Sequence, residues 1–297
     1  MQLFPKFPQP LLTTRLIHRH LLSAYLLVSH GSRSSYPKIA TAHLAQWVSE
    51  RLRTLGQNPA KHRDATPATQ ADPTPVRSTS KHKPYPLNPC PLVGTACLEF
   101  GASPLHQQIQ EFSDRAFAAG CDRVRILPLF LLPGVHVMED IPPEVALAQE
   151  VLQRQGTSEI YSIELCSYLG THPDLWQLLT QQILEPVAAR VLVAHGSQRP
   201  EGNQLIEQVA AKAEAVVAYW SKSPDLTQQV EQLIQAGHNQ IAILPYFLFA
   251  GTTTEAIGQI VTNLRQRFPT TTLRLANPIG VSAELVDIVL DLLQREP

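Results

Sequence analysis

An internal duplication constrains the fold of this sequence more than any other feature. The segment Ala119–Gly134 returns as Ala236–Gly251 at a constant offset of 117 residues. A second segment, Leu27–Ser32, returns as Leu192–Ser197 at an offset of 165 residues. Because each copy is long enough to form several secondary-structure elements, the chain is expected to fold into two similar halves.

The two copies differ at positions that bear on chemistry. His30 corresponds to His195, but His136 corresponds to Thr253. No glutamate in the second copy matches Glu99, because Trp220-Ser221 stands at that place. The sequence therefore predicts that residues 188–297 form a degenerate copy of the first half.

Hydrophobic periodicity predicts four β/α units in each copy. Short apolar runs that end in tight turns indicate buried strands, and apolar residues at helical spacing follow each run. The predicted strands are 25–29, 92–98, 124–131, 160–166, 191–194, 216–219, 241–247 and 272–276. The predicted helices are 37–55, 104–119, 142–155, 174–184, 203–213, 226–236, 254–267 and 283–294. The expected fold class is α/β, with two similar doubly wound parallel-sheet lobes whose ligand clefts lie at the carboxyl ends of the strands.

Two segments are expected to lie outside the folded lobes. Residues 1–20 are basic and proline-containing, and a disordered extension is favoured over a transit peptide because the prolines interrupt any amphipathic helix. Residues 56–91 are rich in Pro, Thr, Ser, Lys and Arg, and are interpreted as a mobile insertion after the first helix. The remaining boundaries are 21–187 for the N-terminal lobe and 188–297 for the C-terminal lobe.

Composition excludes several classes of function. A net charge of -1 gives no electrostatic reason to expect nucleic acid or an anionic membrane as a partner. The four cysteines form no CxxC pair, so a disulfide framework is not indicated and a reducing cytoplasm is the expected location. No apolar run approaches the roughly 20 residues that span a bilayer. Neither GxGxxG nor a Walker pattern is present, so no nucleotide cofactor is implied.

Three candidate ligands follow three consecutive strands. His30 follows the first strand, Glu99 ends the second, and His136 lies just past the third. If the strand ends meet at one sheet edge, two imidazoles and a carboxylate would suit a divalent first-row metal with positions left open for a substrate. Taken singly, His30 could be a turn residue and Glu99 a charge at a helix N-terminus. His136 is harder to explain by packing, because its neighbours are apolar.

Other polar residues carry weaker predictions. Ser32 and Arg33 could bind a carboxylate or phosphate, although a simple cap with an exposed arginine explains them equally well. The remaining histidines outside the repeated strand ends are expected to be solvated. They are His18, His20, His43, His62, His82, His106, His172 and His238.

The segments 27–33 and 127–142 together resemble the sirohydrochlorin chelatases of the cobaltochelatase/ferrochelatase group, in their long, internally duplicated form. The likeness runs from about Tyr25 to Leu293, apart from the insertion. It implies ATP-independent insertion of Fe²⁺ or Co²⁺ into sirohydrochlorin, in siroheme or cobalamin biosynthesis. It further implies that His30 and His136 bind the metal and accept protons, that Glu99 is their acidic partner, and that no cofactor is needed beyond the substrate metal.

Two alternatives remain. A histidine phosphatase also carries His-Gly after its first strand, but its chemistry requires arginine where this chain has Ser29. A non-enzymatic metal-carrying or metal-sensing module would need the two histidines but no tetrapyrrole cavity.

The sequence does not distinguish iron from cobalt as the metal, since imidazole and carboxylate accept both ions. It leaves the oligomeric state open as well.

Overall fold

A computed structural model describes residues 23–57, 92–156, 158, 160–183 and 187–295. The predicted N-terminal extension, residues 1–20, lies outside the described residues. So does the predicted insertion, apart from residues 56 and 57 at the end of the first helix. The described residues contain two four-stranded sheets in which every strand pairing is parallel.

The first lobe has the strand order β2-β1-β3-β4. Its strands are β1 (Ser23–Ser29), β2 (Val93–Cys97), β3 (Arg123–Pro128) and β4 (Ser162–Leu165). Its helices are α1 (Ser35–Gln57), α2 (Leu105–Ala118), α3 (Ile141–Arg154) and the short α4 (Gln177–Thr180). A five-residue π-helical turn, His136–Asp140, leads directly into α3.

The second lobe repeats this topology with the order β6-β5-β7-β8. Its strands are β5 (Ala189–Ala194), β6 (Val216–Tyr219), β7 (Gln240–Pro245) and β8 (Thr272–Leu275). Its helices are α5 (Pro200–Lys212), α6 (Leu226–Gln235), α7 (Thr252–Arg267) and α8 (Ala283–Gln294). The registers agree as well, since Ala24 pairs with Val124 and their repeat equivalents, Ala189 and Ile241, also pair. The predicted fold class and duplication are confirmed.

Both faces of each sheet are buried, as expected for all-parallel strands. Tyr25 and Leu27 of β1 point into a core shared by the two lobes, which α1, α5 and α8 also line. Ala24, Leu26 and Val28 point the other way, under α2 and α3. A matching separate core lies under α6 and α7. The shared core makes the two lobes one packing unit.

The last helix of each lobe packs against the sheet of the other lobe. Helix α8 contacts α1 and β3, and α4 contacts β7. The guanidinium of Arg125, in β3, donates hydrogen bonds to the carbonyl oxygens of Leu293 and Arg295 at the end of α8. A buried cation thus satisfies carbonyls that have no partner within the helix, and stabilises the negative end of its dipole.

One predicted element is much shorter than expected. The predicted closing helix of the first copy, 174–184, is wrong, because only Gln177–Thr180 is α-helical. In the matching α8, the side chain of Ser282 accepts a backbone hydrogen bond that caps the helix. His172 occupies the equivalent position, and its Nδ1 also accepts a backbone hydrogen bond, from the amide of Asp174 at 3.2 Å. The segment nevertheless forms turns before the short helix, and the residue before α4, Trp176, makes no side-chain capping bond.

Candidate metal centre and cleft

Three side chains meet at the carboxyl edge of the first sheet. His30 directly follows β1, Glu99 lies two residues beyond β2, and His136 opens the π-helical turn beyond β3. Because β2, β1 and β3 are neighbours, their ends bring these residues together. One ligand atom from each lies within 4.8 Å of the others. The residues selected from sequence as metal ligands therefore do form a cluster.

The spacing of the cluster suits a single metal ion. The Nε2 atoms of His30 and His136 are 3.0 Å apart, and Nε2 of His30 lies 4.0 Å from Oε2 of Glu99. Two nitrogens bound cis to one octahedral ion at about 2.1 Å each would be roughly 3 Å apart. The side chains of His30 and Glu99 are 46% and 45% exposed, so the site is open to a substrate.

Hydrogen bonds on the far side of each ring favour metal binding through Nε2. Nδ1 of His136 lies 2.6 Å from Oδ2 of Asp140, and Nδ1 of His30 lies 3.1 Å from the carbonyl oxygen of Gly31. In the tautomer that satisfies both of these acceptors, each Nδ1 carries the proton and each Nε2 presents a lone pair. Two lone pairs facing each other at 3.0 Å repel unless a cation lies between them.

Asp140 is a site residue that the sequence analysis missed. Its distance of four residues from His136 is the spacing at which helical side chains meet, which was an available signal. The predicted helix began at Pro142, however, and this left Asp140 in a connecting segment. The π-helical turn begins the helical structure at His136 instead.

Gly31 is required by the close approach of two strand ends. It has a φ of 93°, and a Cβ placed there would lie 1.9 Å from the carbonyl oxygen of Glu99. The same approach lets the amide of Glu99 donate to the carbonyl of His30 at 2.9 Å. Glycine after His30 therefore lets the β1 and β2 ends hold two of the three ligands side by side.

A cleft of about 780 Å³ lies between the lobes, and the two histidines open into it. Its walls are mainly apolar, with residues 129–132 from the first lobe and 246–249 from the second. The ring of Phe130 lies 6.3 Å from that of His30 and 6.2 Å from that of His136. The site therefore combines a polar metal-binding edge with apolar walls that suit a large, flat ligand.

The two residues predicted to bind carboxylates differ in position. Ser32 lines the cleft, and its hydroxyl oxygen accepts a hydrogen bond from the amide of Ser34. Arg33 is exposed and does not belong to the cleft lining. Its guanidinium lies over the ring of Phe100, 5.4 Å from the centroid. Of the two, only Ser32 directly faces the cleft.

The second lobe contributes the opposite wall without forming a second cluster. His195 and Thr253 both line the cleft. Ser221 takes the place of Glu99, because its amide donates to the carbonyl of His195 just as that of Glu99 does to His30. Among the residues that the structure describes, only the first-lobe cluster brings three potential metal ligands within 4.8 Å of one another.

Two histidines expected to be solvated are instead paired. Nδ1 of His106 lies 2.9 Å from a carboxylate oxygen of Glu144, and the side chain of His172 is only 8% exposed, with Nε2 3.1 Å from Oδ2 of Asp291. The expectation was wrong for both residues. The physical reason is that each carboxylate comes from an element distant in sequence, α3 for Glu144 and α8 for Asp291.

Comparison with known proteins identifies the family. The CbiX family model matches residues 85–186 and again residues 189–296, which together make up more than half of the chain. The chain belongs to the CbiX family.

Two curated relatives from Priestia megaterium bear related names. A sirohydrochlorin cobaltochelatase is 25% identical over 215 residues, which cover 67% of this chain and 67% of the relative. A sirohydrochlorin ferrochelatase is 27% identical over 199 residues, which cover 61% of this chain and 70% of the relative.

Solved structures share the CbiX-family fold. SirB from Bacillus subtilis with Fe³⁺ superposes with a TM-score of 0.64 at 18% identity, covering 92% of this chain and 94% of that chain. CbiX, described as the terminal enzyme for biosynthesis of siroheme in denitrifying bacteria, gives a TM-score of 0.55 at 19% identity, with 91% and 98% covered. At these identities the likeness establishes the fold.

The two CbiX segments fall unevenly on the site. The first contains Glu99 and His136 but begins after β1 and His30. The second contains His195 and Thr253.

Among the described residues, none of the helices has the length and apolarity needed to cross a membrane.

Proposed function

We propose that this chain inserts a divalent metal ion, Fe²⁺ or Co²⁺, into sirohydrochlorin without ATP. The observation that carries the proposal is the pair of facing Nε2 atoms of His30 and His136, 3.0 Å apart at the edge of an apolar cleft. Membership of the CbiX family and the names of the curated relatives support the same substrate. A module that only carried or sensed metal would need no cleft of about 780 Å³.

The proposed mechanism divides two tasks among three side chains. The metal ion is a substrate, held by Nε2 of His30, Nε2 of His136 and the carboxylate of Glu99. Three protein ligands leave other coordination positions of the metal ion open. The pyrrole nitrogens of a macrocycle in the cleft can bind at these positions first and then replace the protein ligands one at a time.

Metal insertion releases two pyrrole protons, which need an acceptor close to the ring. An imidazole freed from the metal is a suitable base near neutral pH. Asp140 stabilises the proton that His136 gains, because its carboxylate already lies 2.6 Å from the other ring nitrogen. The side chain of Glu99 is 45% exposed, so its carboxylate gives the second proton a route to solvent.

The test is direct metallation. Purified protein is mixed anaerobically with sirohydrochlorin and either Co²⁺ or Fe²⁺, and the change in tetrapyrrole absorbance is followed against a protein-free control. We expect catalysis with at least one ion and no effect of adding ATP. Rates equal to the protein-free control with both ions would exclude the chelatase assignment and favour the metal-carrying alternative.

The remaining proposals concern the setting of the reaction. Cys97, Cys121 and Cys166 are free thiols, which is compatible with a reducing cytoplasm as the proposed location. The proposed partners are sirohydrochlorin and the metal ion, and neither a nucleic acid nor a membrane is required. Residues 21–187 and 188–297 remain the proposed boundaries of the two lobes.

A further inference from the structure

One side chain gives the cleft lining its permanent charge. Among the described residues, the lining contains three histidines, no carboxylate and a single lysine, Lys38. Lys38 lies in the first turns of α1 and is exposed to the cleft. A ligand that covered this ammonium without a negative group of its own would leave a charge unpaired, which is costly.

The internal repeat shows what this position does when it has a structural role. Asn203 is the equivalent residue in α5, at the offset of 165. Its side-chain oxygen accepts from the amide of Ser197 at 2.9 Å, and its amide nitrogen donates to the carbonyl of Ser197 at 2.8 Å. These bonds hold the loop after β5 to α5. Within the described part of the chain, the ammonium of Lys38 makes no matching hydrogen bond and no ion pair.

The loop of the first lobe keeps its shape without that contact. The amide of Ser34 donates to the hydroxyl oxygen of Ser32 at 3.0 Å, and the amide of Arg199 donates to that of Ser197 at 3.1 Å in the second lobe. The turn is thus the same in both copies. Lysine in place of asparagine therefore frees a cation for the cleft and leaves the backbone of the turn unchanged.

The surroundings of Lys38 favour an anion. The N-terminus of the 23-residue helix α1 lies beside that of the 16-residue helix α7, since a ring carbon of Pro37 lies 3.9 Å from where a Cβ on Gly251 would be. Thr253, in the first turn of α7, lines the same cleft. Glu255, also in that turn, is exposed and lies outside the lining. Two positive helix ends and a lysine thus converge here.

We propose that Lys38, with the N-terminal ends of α1 and α7, forms a subsite for a peripheral carboxylate of the tetrapyrrole. This inference rests on the proposed function. The subsite anchors one edge of the macrocycle and so contributes to the affinity of the cleft for it. A lysine suits this role because its long stem lets a point charge follow a flexible carboxylate arm.

The experiment separates binding of the tetrapyrrole from binding of metal. Metal-free protein is titrated with sirohydrochlorin, and binding is followed by tetrapyrrole absorbance for the parent, Lys38→Ala, Lys38→Arg and a surface control, Lys212→Ala. We expect Lys38→Ala to raise the Kd about tenfold, the loss typical of one charge-assisted hydrogen bond. Lys38→Arg should recover most of the affinity, and Lys212→Ala should match the parent.

Two further measurements test that Lys38 contributes to binding of the tetrapyrrole and not to binding of the metal ion. KM for sirohydrochlorin should rise with Kd in Lys38→Ala while kcat changes less than about twofold, and the affinity for Co²⁺ alone should not change. Unchanged Kd and KM in Lys38→Ala, beside a parent that binds and metallates sirohydrochlorin, would overturn the Lys38 assignment alone. A parent that neither binds nor metallates sirohydrochlorin would overturn the proposed function and the subsite with it.

Discussion

At the residue scale, the two lone pairs that face each other between His30 and His136 require a positive charge between them. Their rings are fixed from behind by an acceptor on each Nδ1, so neither ring can relieve the repulsion by changing its tautomer without losing a hydrogen bond. A bound divalent ion or a shared proton removes the repulsion. The same atoms can therefore hold metal before insertion and hold a proton after it.

Removing either histidine should abolish most of the activity. We expect His30→Ala and His136→Ala each to lower the initial rate of sirohydrochlorin metallation by at least about a hundredfold, within the range for a lost acid or base group. His195→Ala should cost much less, because its lobe offers Ser221 and Thr253 in place of further ligands. Initial rates are compared at matched thermal stability, and an inactive His195→Ala beside an active His136→Ala would contradict the assignment.

Asp140 should act through His136. In Asp140→Asn the amide can still occupy the same space but loses the negative charge that holds the Nδ1 proton, so we expect Co²⁺ affinity and rate to fall about 10- to 100-fold. Glu150→Gln is the matched control, since Glu150 also pairs with a residue four positions away, the exposed Arg154. Equal Co²⁺ affinities for the two variants, measured by visible absorption, would show that Asp140 has no such role.

The residues at strand ends were predictable, and those that depend on local helix geometry were not. His30, Glu99 and His136 could be grouped because parallel strands deliver their carboxyl ends to one edge whatever the details of packing. Asp140 could not be added, because its contact depends on a π-helical turn that periodicity does not indicate. Lys38 was overlooked because its exposure to a cleft depends on how two lobes meet.

At the element scale, the contact between β3 and α8 holds one lobe to the other. The side chain of Arg125 is 6% exposed and donates to two carbonyls at the end of α8, and its Nε lies 3.3 Å from a carboxylate oxygen of Glu164. Burial of the neighbouring Tyr25 raises the pKa of its hydroxyl to about 12, so that the hydroxyl stays protonated beside the guanidinium. The positive charge is thus compensated by one carboxylate and by the helix end.

Replacing this arginine should destabilise the whole chain. Arg125→Met removes the partner of two helix carbonyls and of Oε2 of Glu164, whose other oxygen stays paired with Arg123. We expect a loss of about 3 kcal/mol in the free energy of unfolding. Arg154→Met should lose less than about 1 kcal/mol, because its ion pair is exposed. Urea denaturation measures both, and similar losses in the two variants would argue against a structural role for Arg125.

Strand and helix positions followed from periodicity, whereas the partners of the elements did not. The predicted helix 283–294 matches α8 at both ends. Nothing in its apolar pattern indicates that it packs against the sheet of the other lobe, because an apolar face is satisfied by any complementary surface. The turns that replace most of the predicted helix 174–184 are likewise a local detail that its apolar residues do not indicate.

For the molecule as a whole, the segment between α1 and β2 should be dispensable. In the second lobe, residues 213–215 suffice to join α5 to β6, so the fold itself needs no long connection there. Replacing residues 60–89 with a short Gly/Ser loop should leave the chelation rate within a few-fold of the parent. Steady-state rates at saturating sirohydrochlorin give the comparison, and a loss of more than about tenfold would show that the segment serves the site.

Because α8 packs on the first lobe and α4 on the second, the two lobes cannot easily move apart. Moving the lobes apart would separate α8 from α1 and β3 and expose apolar residues of that helix that lie in the shared core. Such exposure costs several kcal/mol even before the capping bonds of Arg125 are broken. We therefore expect a flat macrocycle to enter edge-on between the cleft walls formed by residues 129–132 and 246–249, without separation of the lobes.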